Sequence, residues 1–269
     1  MKNNYILIIL SIIVGLNILA WIAVYDLSQP RFLEVNFFDV GQGDAIFIET
    51  PWRHQILIDG GPDSIILEKI ANNLPFWDRE IDLIILTHPE KDHLAGLIEV
   101  LKGYRVRNIL WTGVVRDTAE YEEWERLIAN EKAQVFIAKA GQKIKLGKSN
   151  LHILYPLENL VGKILKDSNN TSIIIRLTFG ENSFLFTGDA YKSVERELIQ
   201  EYSCSGSCKF AILDSDLLKV AHHGSKTSSA DEFIEKVSPE IAVIQAGKDN
   251  RYGHPHQETL ETLVKYDIT

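Results

Sequence analysis

The chain has 269 residues, of which 45% are hydrophobic and 24% are charged, as is typical of a folded globular protein. Its net charge of -9 excludes a broadly basic surface for nucleic acid, so a phosphodiester substrate would need bound metal to supply local positive charge. Two cysteines are too few for a disulfide framework. Cys204 and Cys208 could form a disulfide across a small loop outside the cytoplasm or remain free thiols, and the lack of a second cysteine pair disfavours zinc.

An apolar segment, residues 5–25, is long enough to cross a bilayer as a helix. Lys2 precedes it, and Trp21 and Tyr25 lie near its far end, where interfacial aromatic residues are common. We expect an uncleaved membrane anchor at residues 1–26, with a cleaved signal peptide or a buried core helix as the alternatives. The position of Lys2 favours a cytoplasmic N-terminus and an extracytoplasmic catalytic domain.

Residues 27–31 form the predicted linker and residues 32–269 the predicted globular domain, in which strands and helices alternate. Period-2 patterns and short apolar runs predict strands at 32–38, 45–49, 55–58, 81–86, 106–111, 134–138, 143–146, 151–155, 173–179, 183–187, 216–221 and 241–245. Helical spacing and capping residues predict helices at 64–74, 94–101, 118–131, 190–201, 229–237 and 257–265. Alternation of this kind is typical of the α/β class.

One turn between a predicted strand and a predicted helix carries four side chains that can bind a metal ion: His88, Glu90, Asp92 and His93. Neutral imidazoles and carboxylates are common ligands of divalent cations. A turn can direct such side chains into one pocket, whereas a regular strand or helix would direct them apart. The sequence therefore predicts a metal site rather than a polar loop with two incidental histidines.

More candidate ligands follow other predicted strands: Asp39, Asp59, Asp189, His222, His223 and His254. Each alone is a weak signal, because an aspartate before a glycine is a common turn residue. However, five of the eight histidines lie in three short clusters after strands. In an α/β fold the ends of neighbouring strands lie along one edge, so these side chains can converge.

Seven motifs in this chain resemble those of the exported domain of ComEC-type competence proteins, within the metallo-β-lactamase superfamily. In chain order they are FDVGQGD at 38–44, IDGG at 58–61, THP at 87–89, NNTS at 169–172, TGD at 187–189, HHGS at 222–225 and YGHP at 252–255. The metal turn also looks like the superfamily signature His-x-His-x-Asp-His. The match runs from about residue 32 to the C-terminus.

The resemblance implies a four-layer αβ/βα sandwich, the metallo-β-lactamase fold, with an active site on one edge between two sheets. It also implies two divalent metal ions, bridged by Asp189. The residues that match its ligand positions are His88, Asp92, His93, Asp189 and His223. His222 is the alternative to His223. Structural roles around the site are expected for Asp39, Gln42, Asp44, Asp59, Asn170 and Ser172.

Two positions depart from the superfamily signature. Glu90 stands at the second signature histidine, and Asn169, Asn170 and Ser172 stand where the third motif has a histidine. Such changes are typical of the ComEC-type group, and Glu90 stays a candidate ligand. They leave one metal with fewer imidazoles and more oxygens, so the candidate cofactors are zinc or manganese, with magnesium also plausible.

We therefore expect a membrane-anchored, metal-dependent phosphodiesterase or nuclease that acts on DNA during DNA uptake. Two cations about 3.5–4 Å apart would clamp the phosphate and activate a water molecule. Asp92 would serve as ligand and base, and His254 would donate to the leaving oxygen or hold a phosphate. The residues expected to contact substrate phosphates are Lys219, Ser225, Lys226 and Arg251.

Two other functions remain open from the sequence. Another hydrolase of the superfamily would cleave a thioester, a lactone or a β-lactam, although the missing third-motif histidine argues against it. A module depleted of metal would bind DNA without cutting it. A single anchor cannot form a pore, so a role in uptake would require a separate channel protein as partner.

Overall fold

The computed structural model describes residues 2–28, 31–165, 167–202 and 212–269. The chain divides into two compact units, Met1–Phe32 and Leu33–Thr269. Cys204 and Cys208 lie outside the described residues, so the state of their thiols stays a prediction.

The first unit contains helix α1, Lys2–Ser28. Within α1, the 22-residue stretch Asn4–Tyr25 is the one helix among the described residues that is long and apolar enough to cross a membrane. None of its most apolar window is buried, whereas the core helix of a soluble protein is mostly buried. A signal sequence near the N-terminus can also be long and apolar enough to meet these criteria, so α1 is a candidate membrane span.

In the described part of the second unit, twelve strands form two sheets of six. The first sheet contains, in spatial order, β1 (Glu34–Phe37), β2 (Ile46–Glu49), β3 (Gln55–Ile58), β4 (Glu80–Ile85), β5 (Arg105–Trp111) and β6 (Gln134–Ile137). The second contains, also in spatial order, β7 (Lys143–Leu146), β8 (Ser149–Tyr155), β9 (Ile174–Phe179), β10 (Asn182–Phe186), β11 (Leu217–Lys219) and β12 (Ile241–Val243).

Helices cover the outer face of each sheet. The helices of the first half are α2 (Ile65–Asn73), α3 (Lys91–Gly103) and α4 (Ala119–Asn130). Those of the second half are α5 (Lys192–Tyr202), α6 (Asp231–Val237) and α7 (Gln257–Lys265). Apolar side chains pack α2–α4 on the first sheet, the two sheets on each other, and α5–α7 on the second sheet. These four layers confirm the predicted αβ/βα sandwich.

Strand β4 shows why the central strands are apolar throughout. Successive side chains of a strand point to opposite faces of the sheet. Ile84 accordingly packs against the helices, whereas Leu83 and Ile85 pack in the core between the sheets. Both faces of the strand are buried, so the sequence shows an unbroken apolar run instead of an alternation.

The parallel strands bring the candidate site residues to one edge of the molecule. Strands β3, β4 and β5 run parallel in the first sheet, as do β10, β11 and β12 in the second. Asp59 follows β3 and His88 follows β4, while Asp189 and His223 follow β10 and β11. The four side chains therefore come from the carboxyl ends of strands in both sheets.

Two glycines allow α3 to sit directly against the turn after β3. A Cβ atom on Gly96 would overlap the carbonyl group of Gly60, and one on Gly60 would overlap the backbone of α3. The Gly60 N–H donates to the carbonyl oxygen of His93 at 2.8 Å. A larger residue at either position would push the first turn of α3, which carries Asp92 and His93, away from Asp59.

Gln245, just past β12, joins the two sheets through hydrogen bonds. Its side-chain amide donates to the carbonyl oxygens of Phe38 at 2.9 Å and Ala45 at 3.0 Å, which flank the loop between β1 and β2. Its own backbone carbonyl accepts a hydrogen bond from Nδ1 of His223 at 2.9 Å. The first and last strands of the domain therefore share one buried contact point.

Candidate metal centre

Asp59 is hydrogen-bonded to the turn after β4. It has a φ of 57°, and its carboxylate accepts hydrogen bonds from the Thr87 N–H at 2.8 Å and the Thr87 hydroxyl at 2.6 Å. The same carboxylate lies 2.8 Å from Nδ1 of His93. All three side chains are buried. The geometry places Asp59 where it orients the His93 ring and fixes the backbone of the turn.

Three imidazoles converge on the carboxylate of Asp189. In the described chain, the Nε2 atoms of His88, His93 and His223 are buried and have no hydrogen-bond partner. They lie 3.9, 3.4 and 3.3 Å from Oδ2 of Asp189. Oδ2 of Asp92 lies 3.3 Å from Nε2 of His223. Buried polar atoms without partners are costly, so their convergence points to a bound species that is not protein.

The other nitrogen of each ring faces a fixed partner. Nδ1 of His93 faces the carboxylate beneath the turn, and Nδ1 of His223 donates to the carbonyl oxygen of Gln245. Nδ1 of His88 lies 3.0 Å from the hydroxyl of Thr87. Partners of this kind orient histidine ligands in metal sites and leave Nε2 for the ion.

The cluster combines buried carboxylates with imidazoles of two kinds. Burial, and then the neighbouring His93, lower the pKa of His88 to about 3, so this ring is neutral. Burial opposes a charge on His93 and His223, but facing carboxylates, first that of Asp189, raise the pKa of both rings well above the usual value. Burial also opposes ionisation of Asp189, yet these two imidazoles hold its pKa well below normal. The ionised carboxylate of Asp189 therefore favours a positive charge at the point where the Nε2 atoms meet.

A buried ion pair lies behind the imidazoles. The ammonium group of Lys219, in β11, contacts the carboxylate of Asp44 and donates to the carbonyl oxygen of Gly188 at 3.2 Å. Asp44 also lies 3.3 Å from Nδ1 of His223. The expectation that Lys219 contacts substrate is wrong, because its side chain is fully buried and neutralises Asp44 inside the protein.

The family model of the metallo-β-lactamase superfamily matches residues 38–248 of this chain. The chain belongs to this superfamily. The match spans the turn after β4, Asp189 and His223, so the cluster described above lies within the family domain.

Curated relatives of this superfamily member include a competence protein. The chain is 31% identical over 253 residues to ComE operon protein 3 of Bacillus subtilis. The aligned region covers 87% of this chain and 31% of the relative. It is 30% identical over 232 residues to Competence protein ComA of Neisseria gonorrhoeae, with coverage of 86% and 29%. The chain thus spans less than a third of the length of these relatives. They confirm the resemblance to ComEC-type proteins.

A solved structure confirms the fold alone. The metallo-β-lactamase fold protein YhfI from Bacillus subtilis superposes with a TM-score of 0.54 at 14% sequence identity, covering 87% of this chain and 94% of that chain.

The metallo-β-lactamase fold implies a bound divalent metal, and the side chains fit one. Among the described residues, four groups have ligand atoms within 4.8 Å of one another: His88-His93-Asp189, Asp92-His93-His223, Asp44-Asp59-His93 and Asp44-Asp189-His223. Asp44 and Asp59 approach the rings from the Nδ1 side, behind the converging Nε2 atoms. The donor atoms that face one another belong to His88, Asp92, His93, Asp189 and His223.

An open pocket of about 210 Å³ leads to this cluster. Besides Asp92, Asp189 and His223, its lining residues are Gln42, Glu90, Asn169, His222, Tyr252 and His254. Burial, and then its neighbours His222 and His223, lower the pKa of His254 to about 4, so the ring is neutral near pH 7.

None of the four groups of candidate metal ligands found in the described chain contains His222. Its Nε2 lies 3.3 Å from the amide of Asn169 and its Nδ1 lies 2.9 Å from Oγ1 of Thr227.

The residues expected to contact phosphate have different surroundings. Arg251 is exposed, with its guanidinium 4.9 Å from the ring centre of Tyr252 at the pocket rim, and Lys226 is also exposed. The expectation for Ser225 is wrong. Its side chain is buried, and its hydroxyl accepts hydrogen bonds from the backbone N–H and hydroxyl of Thr227, so it shapes the loop instead.

Ser172, at the position of the third-motif histidine, touches two candidate ligands. Its hydroxyl accepts a hydrogen bond from the backbone N–H of Asp189 at 2.9 Å and lies 3.3 Å from Nδ1 of His88. The side-chain carbonyl of Asn170 accepts from the backbone N–H of Tyr191 at 3.1 Å. Both side chains therefore position the turn after β10.

Two residues of the first motif serve the loop between β1 and β2. Asp39 is exposed, and its carboxylate accepts a hydrogen bond from the N–H of Gly41 at 3.2 Å, so it stabilises its own turn. Gln42 accepts from the N–H of Gly247 at 3.0 Å and lines the pocket.

Glu90 lies outside the groups of converging ligand atoms in the described chain. Its Oε1 accepts a hydrogen bond from the hydroxyl of Ser168 at 2.6 Å and lies 3.0 Å from the guanidinium of Arg116. Arg116, Ser168 and Gln245 were not singled out from the sequence. They lie far along the chain from the residues they contact, and no local pattern marks them.

Proposed function

We propose that this chain is a metal-dependent phosphodiesterase that cleaves DNA. The observation that carries the proposal is the convergence of three unpartnered Nε2 atoms and two carboxylates at the floor of an open pocket. A divalent cation bound there would act as a Lewis acid toward a phosphate oxygen and lower the pKa of a water molecule.

Asp92 differs from the other carboxylates in its access to the pocket. Its side chain is 31% exposed, whereas that of Asp189 is 4% exposed. It lies in the first turn of α3, where the first backbone N–H groups and the helix dipole favour a negative charge. Asp92 is therefore placed both to bind the cation and to orient an attacking water and accept its proton.

The rim of the pocket supplies groups for a phosphate chain. The neutral His254 ring can donate a hydrogen bond to a phosphate or leaving oxygen, and Tyr252 lies beside it with ring centres 5.6 Å apart. Arg251 and Lys226 bring positive charge to an otherwise acidic protein. Charged contacts to phosphates position a nucleic acid without reading its sequence.

DNA is the phosphodiester that the relatives favour, since they include Competence protein ComA. We extend the proposal to an anchor at residues 5–25, a domain outside the cytoplasm, and a separate channel protein as partner in uptake. Protease treatment of sealed inside-out and right-side-out membrane vesicles tests the orientation. A domain that is cleaved only in inside-out vesicles would overturn it.

The nuclease proposal is tested with the full chain in detergent micelles, incubated with single- and double-stranded DNA and Mn²⁺, Mg²⁺ or Zn²⁺. We expect cleavage by the wild type, and its loss in Asp92→Asn and Asp189→Asn. His152→Gln, on β8 outside the pocket lining, is the matched control and should remain active.

Three outcomes would contradict the nuclease. Binding of DNA without cleavage in any of the three metals would indicate a binding module. Hydrolysis of a thioester, lactone or β-lactam instead of DNA would indicate another hydrolase of the superfamily. Cleavage that survives both aspartate substitutions would place the reaction elsewhere.

A further inference from the structure

The loop between α2 and β4, residues 74–79, exposes two large aromatic side chains to solvent. Phe76 is 81% exposed and Trp77 is 72% exposed, the highest values for any phenylalanine and any tryptophan in the described part of the second unit. Trp111 and Trp124, by contrast, are buried. The rings of Phe76 and Trp77 meet edge to face with their centres 4.8 Å apart, so they form one apolar projection. Single exposed apolar residues are common, but a contiguous exposed pair of this size is typical of an interaction surface.

Hydrogen bonds hold the loop that presents this aromatic pair. The carboxylate of Asp78 accepts hydrogen bonds from the side-chain amide of Gln55 at 2.8 Å and from the N–H of Glu80 at 3.2 Å. The guanidinium of Arg79 donates to the hydroxyl of Tyr104 at 3.2 Å. The pair is therefore presented in a fixed geometry, and binding to a partner would cost little ordering entropy.

The aromatic pair lies at the edge of the domain opposite the candidate metal centre. Glu34, the first residue of β1, pairs with Glu49, which pairs with Gln55 at the start of β3. The side chain of Gln55 is hydrogen-bonded to Asp78 in the loop. The candidate ligands follow the other ends of β3 and β4, and the six residues of β4 alone rise about 20 Å. The loop and the start of β1 thus share one edge, and the metal centre lies at the other.

The chain enters the domain at the edge that carries the aromatic pair. Glu34 follows Tyr25, the last residue of the candidate membrane span, by nine residues. A segment of this length reaches at most about 30 Å, even when it is fully extended. A span that crosses the bilayer therefore keeps this edge of the domain within about 30 Å of the membrane surface.

Charge does not supply an attraction at this edge. The protein has a net charge of -9, and Arg105 and Arg107, at the start of β5, both pair with Glu80. The apolar surface of the two exposed rings is therefore the main source of binding energy here. Tryptophan and phenylalanine are common where a protein enters the lipid–water interface, since their rings bury apolar surface at the level of the headgroups.

We infer that Phe76 and Trp77 insert into the lipid–water interface and dock this edge of the domain on the bilayer. The inference rests on the proposed anchor at residues 5–25, which brings the edge within reach of the lipid. Docking turns the candidate metal centre away from the membrane by at least the length of β4, about 20 Å. A polymeric substrate then reaches the pocket from the aqueous side.

The test uses the full chain in phosphatidylcholine vesicles, with the photoreactive amino acid p-benzoylphenylalanine in place of Phe76. Mass spectrometry after irradiation identifies the molecule that is cross-linked at residue 76, and we expect lipid. The same probe in place of Tyr252, at the pocket rim on the opposite edge, is the matched control and should not label lipid. Equal labelling at both positions, or none at residue 76, would overturn the docking. A cross-link from residue 76 to a protein instead of lipid in cell membranes would also overturn it.

Two double variants test whether the aromatic rings drive the docking. The reporter is the same probe in place of Arg105, an exposed residue whose N–H donates to the carbonyl oxygen of Arg79 in the loop. Phe76→Ser with Trp77→Ser should lower lipid labelling from this reporter about tenfold, because the apolar surface is lost. Phe76→Trp with Trp77→Phe keeps both rings and should keep the labelling. A reporter that labels no lipid beside the native loop, or labels it equally beside the serine pair, would contradict aromatic insertion.

A third position for the probe separates this inference from the proposed anchor. In place of Leu16, inside the apolar segment, the probe should label lipid if the segment spans the bilayer. Lipid labelling at residue 16 without labelling at residue 76 would overturn the docking and leave the anchor in place. An absence of lipid labelling at residue 16 would overturn the anchor, and the docking with it.

Discussion

His222 and His223 are neighbours in sequence and differ in almost every physical respect. His223 is buried, donates one nitrogen to a backbone carbonyl and directs the other, without a partner in the described chain, at Asp189. His222 is half-buried, and both of its nitrogens lie near polar side chains, those of Asn169 and Thr227. A fixed partner on one nitrogen and none on the other therefore distinguishes a candidate ligand from a pocket residue.

The same contrast separates the inner cluster from the pocket rim. The inner imidazoles are held by Asp59, Thr87 and Gln245, which are all buried. The rim groups are partly or fully exposed and touch one another, as Arg251 touches Tyr252. Inner residues are thus suited to hold an ion in a rigid geometry, and rim residues to adapt to a substrate.

The largest expected effect comes from substituting the two neighbours in turn. His223→Gln should lose bound metal and about a thousandfold of the cleavage rate, because an ion that stabilises the transition state by several kcal/mol is gone. His222→Gln should keep its metal and lose about tenfold. Metal content and initial rates of both variants check this. Equal loss of bound metal from both variants would contradict the assignment of His223 to the inner cluster and of His222 to the pocket rim.

Removing the buried cation of the inner region should cost stability. Lys219→Met removes the ammonium group that contacts the buried Asp44 carboxylate, which should lower the free energy of unfolding by about 3 kcal/mol. Denaturant unfolding of the full chain measures the change. The double variant with Asp44→Asn should recover part of the loss, since the two effects are coupled. A stability change below about 1 kcal/mol would mean that Lys219 acts independently of Asp44.

A smaller effect is expected beneath the metal turn. Asp59→Asn keeps the size of the side chain but weakens its contact with Nδ1 of His93, which orients the ring. Metal affinity should therefore fall about 10–100-fold. Competition with a chelator measures the affinity. Asp39→Asn, in an exposed turn of the first motif, is the control and should bind metal as the wild type does.

The smallest effect concerns the backbone behind the rim. Glu195 is buried and accepts hydrogen bonds from the N–H groups of Ser229 and Ala230 at 2.6 and 2.9 Å. Burial raises its pKa from 4.5 to about 7, so its folded form binds the proton more tightly than the unfolded chain does. The stabilisation is complete below pH 4.5 and is lost as the pH rises through 7.

We therefore expect the wild type to lose about 2.5 kcal/mol of stability between pH 5 and 8 that Glu195→Gln does not lose. Unfolding curves of both proteins at each pH provide the comparison. Parallel pH profiles would show that Glu195 does not titrate in this range.

Local patterns in the sequence were sufficient to predict the strands and helices of the second unit. The period-2 and apolar runs predicted β3 and β7 at their observed bounds, and the capped segment after Thr118 predicted α4 within a residue at each end. Strand ends also predicted that Asp59, His88, Asp189 and His223 lie at one edge, whereas Asp39 and His222, predicted in the same way, lie outside the groups of converging ligand atoms in the described chain. These features depend on near neighbours in the chain, which a sequence displays directly.

Pairings between distant segments could not be predicted in the same way. Lys219 looked like a phosphate contact because lysine is usually exposed, and its burial depends on Asp44 from the other half of the chain. Glu90 was a candidate ligand by position, but Ser168, 78 residues away, and Arg116, 26 residues away, decide where its carboxylate lies. Such contacts become visible when the two sheets are packed together.

The hydrogen bonds of Gln245 have a consequence for the order of folding. Its side chain reaches back 207 residues to Phe38 and 200 residues to Ala45, while its carbonyl orients the His223 ring. Contacts of such long separation form late, because closing a long loop costs entropy before any contact repays it. During synthesis, the His223 ring therefore gains its final orientation only after the first sheet has formed and β12 has packed beside β11.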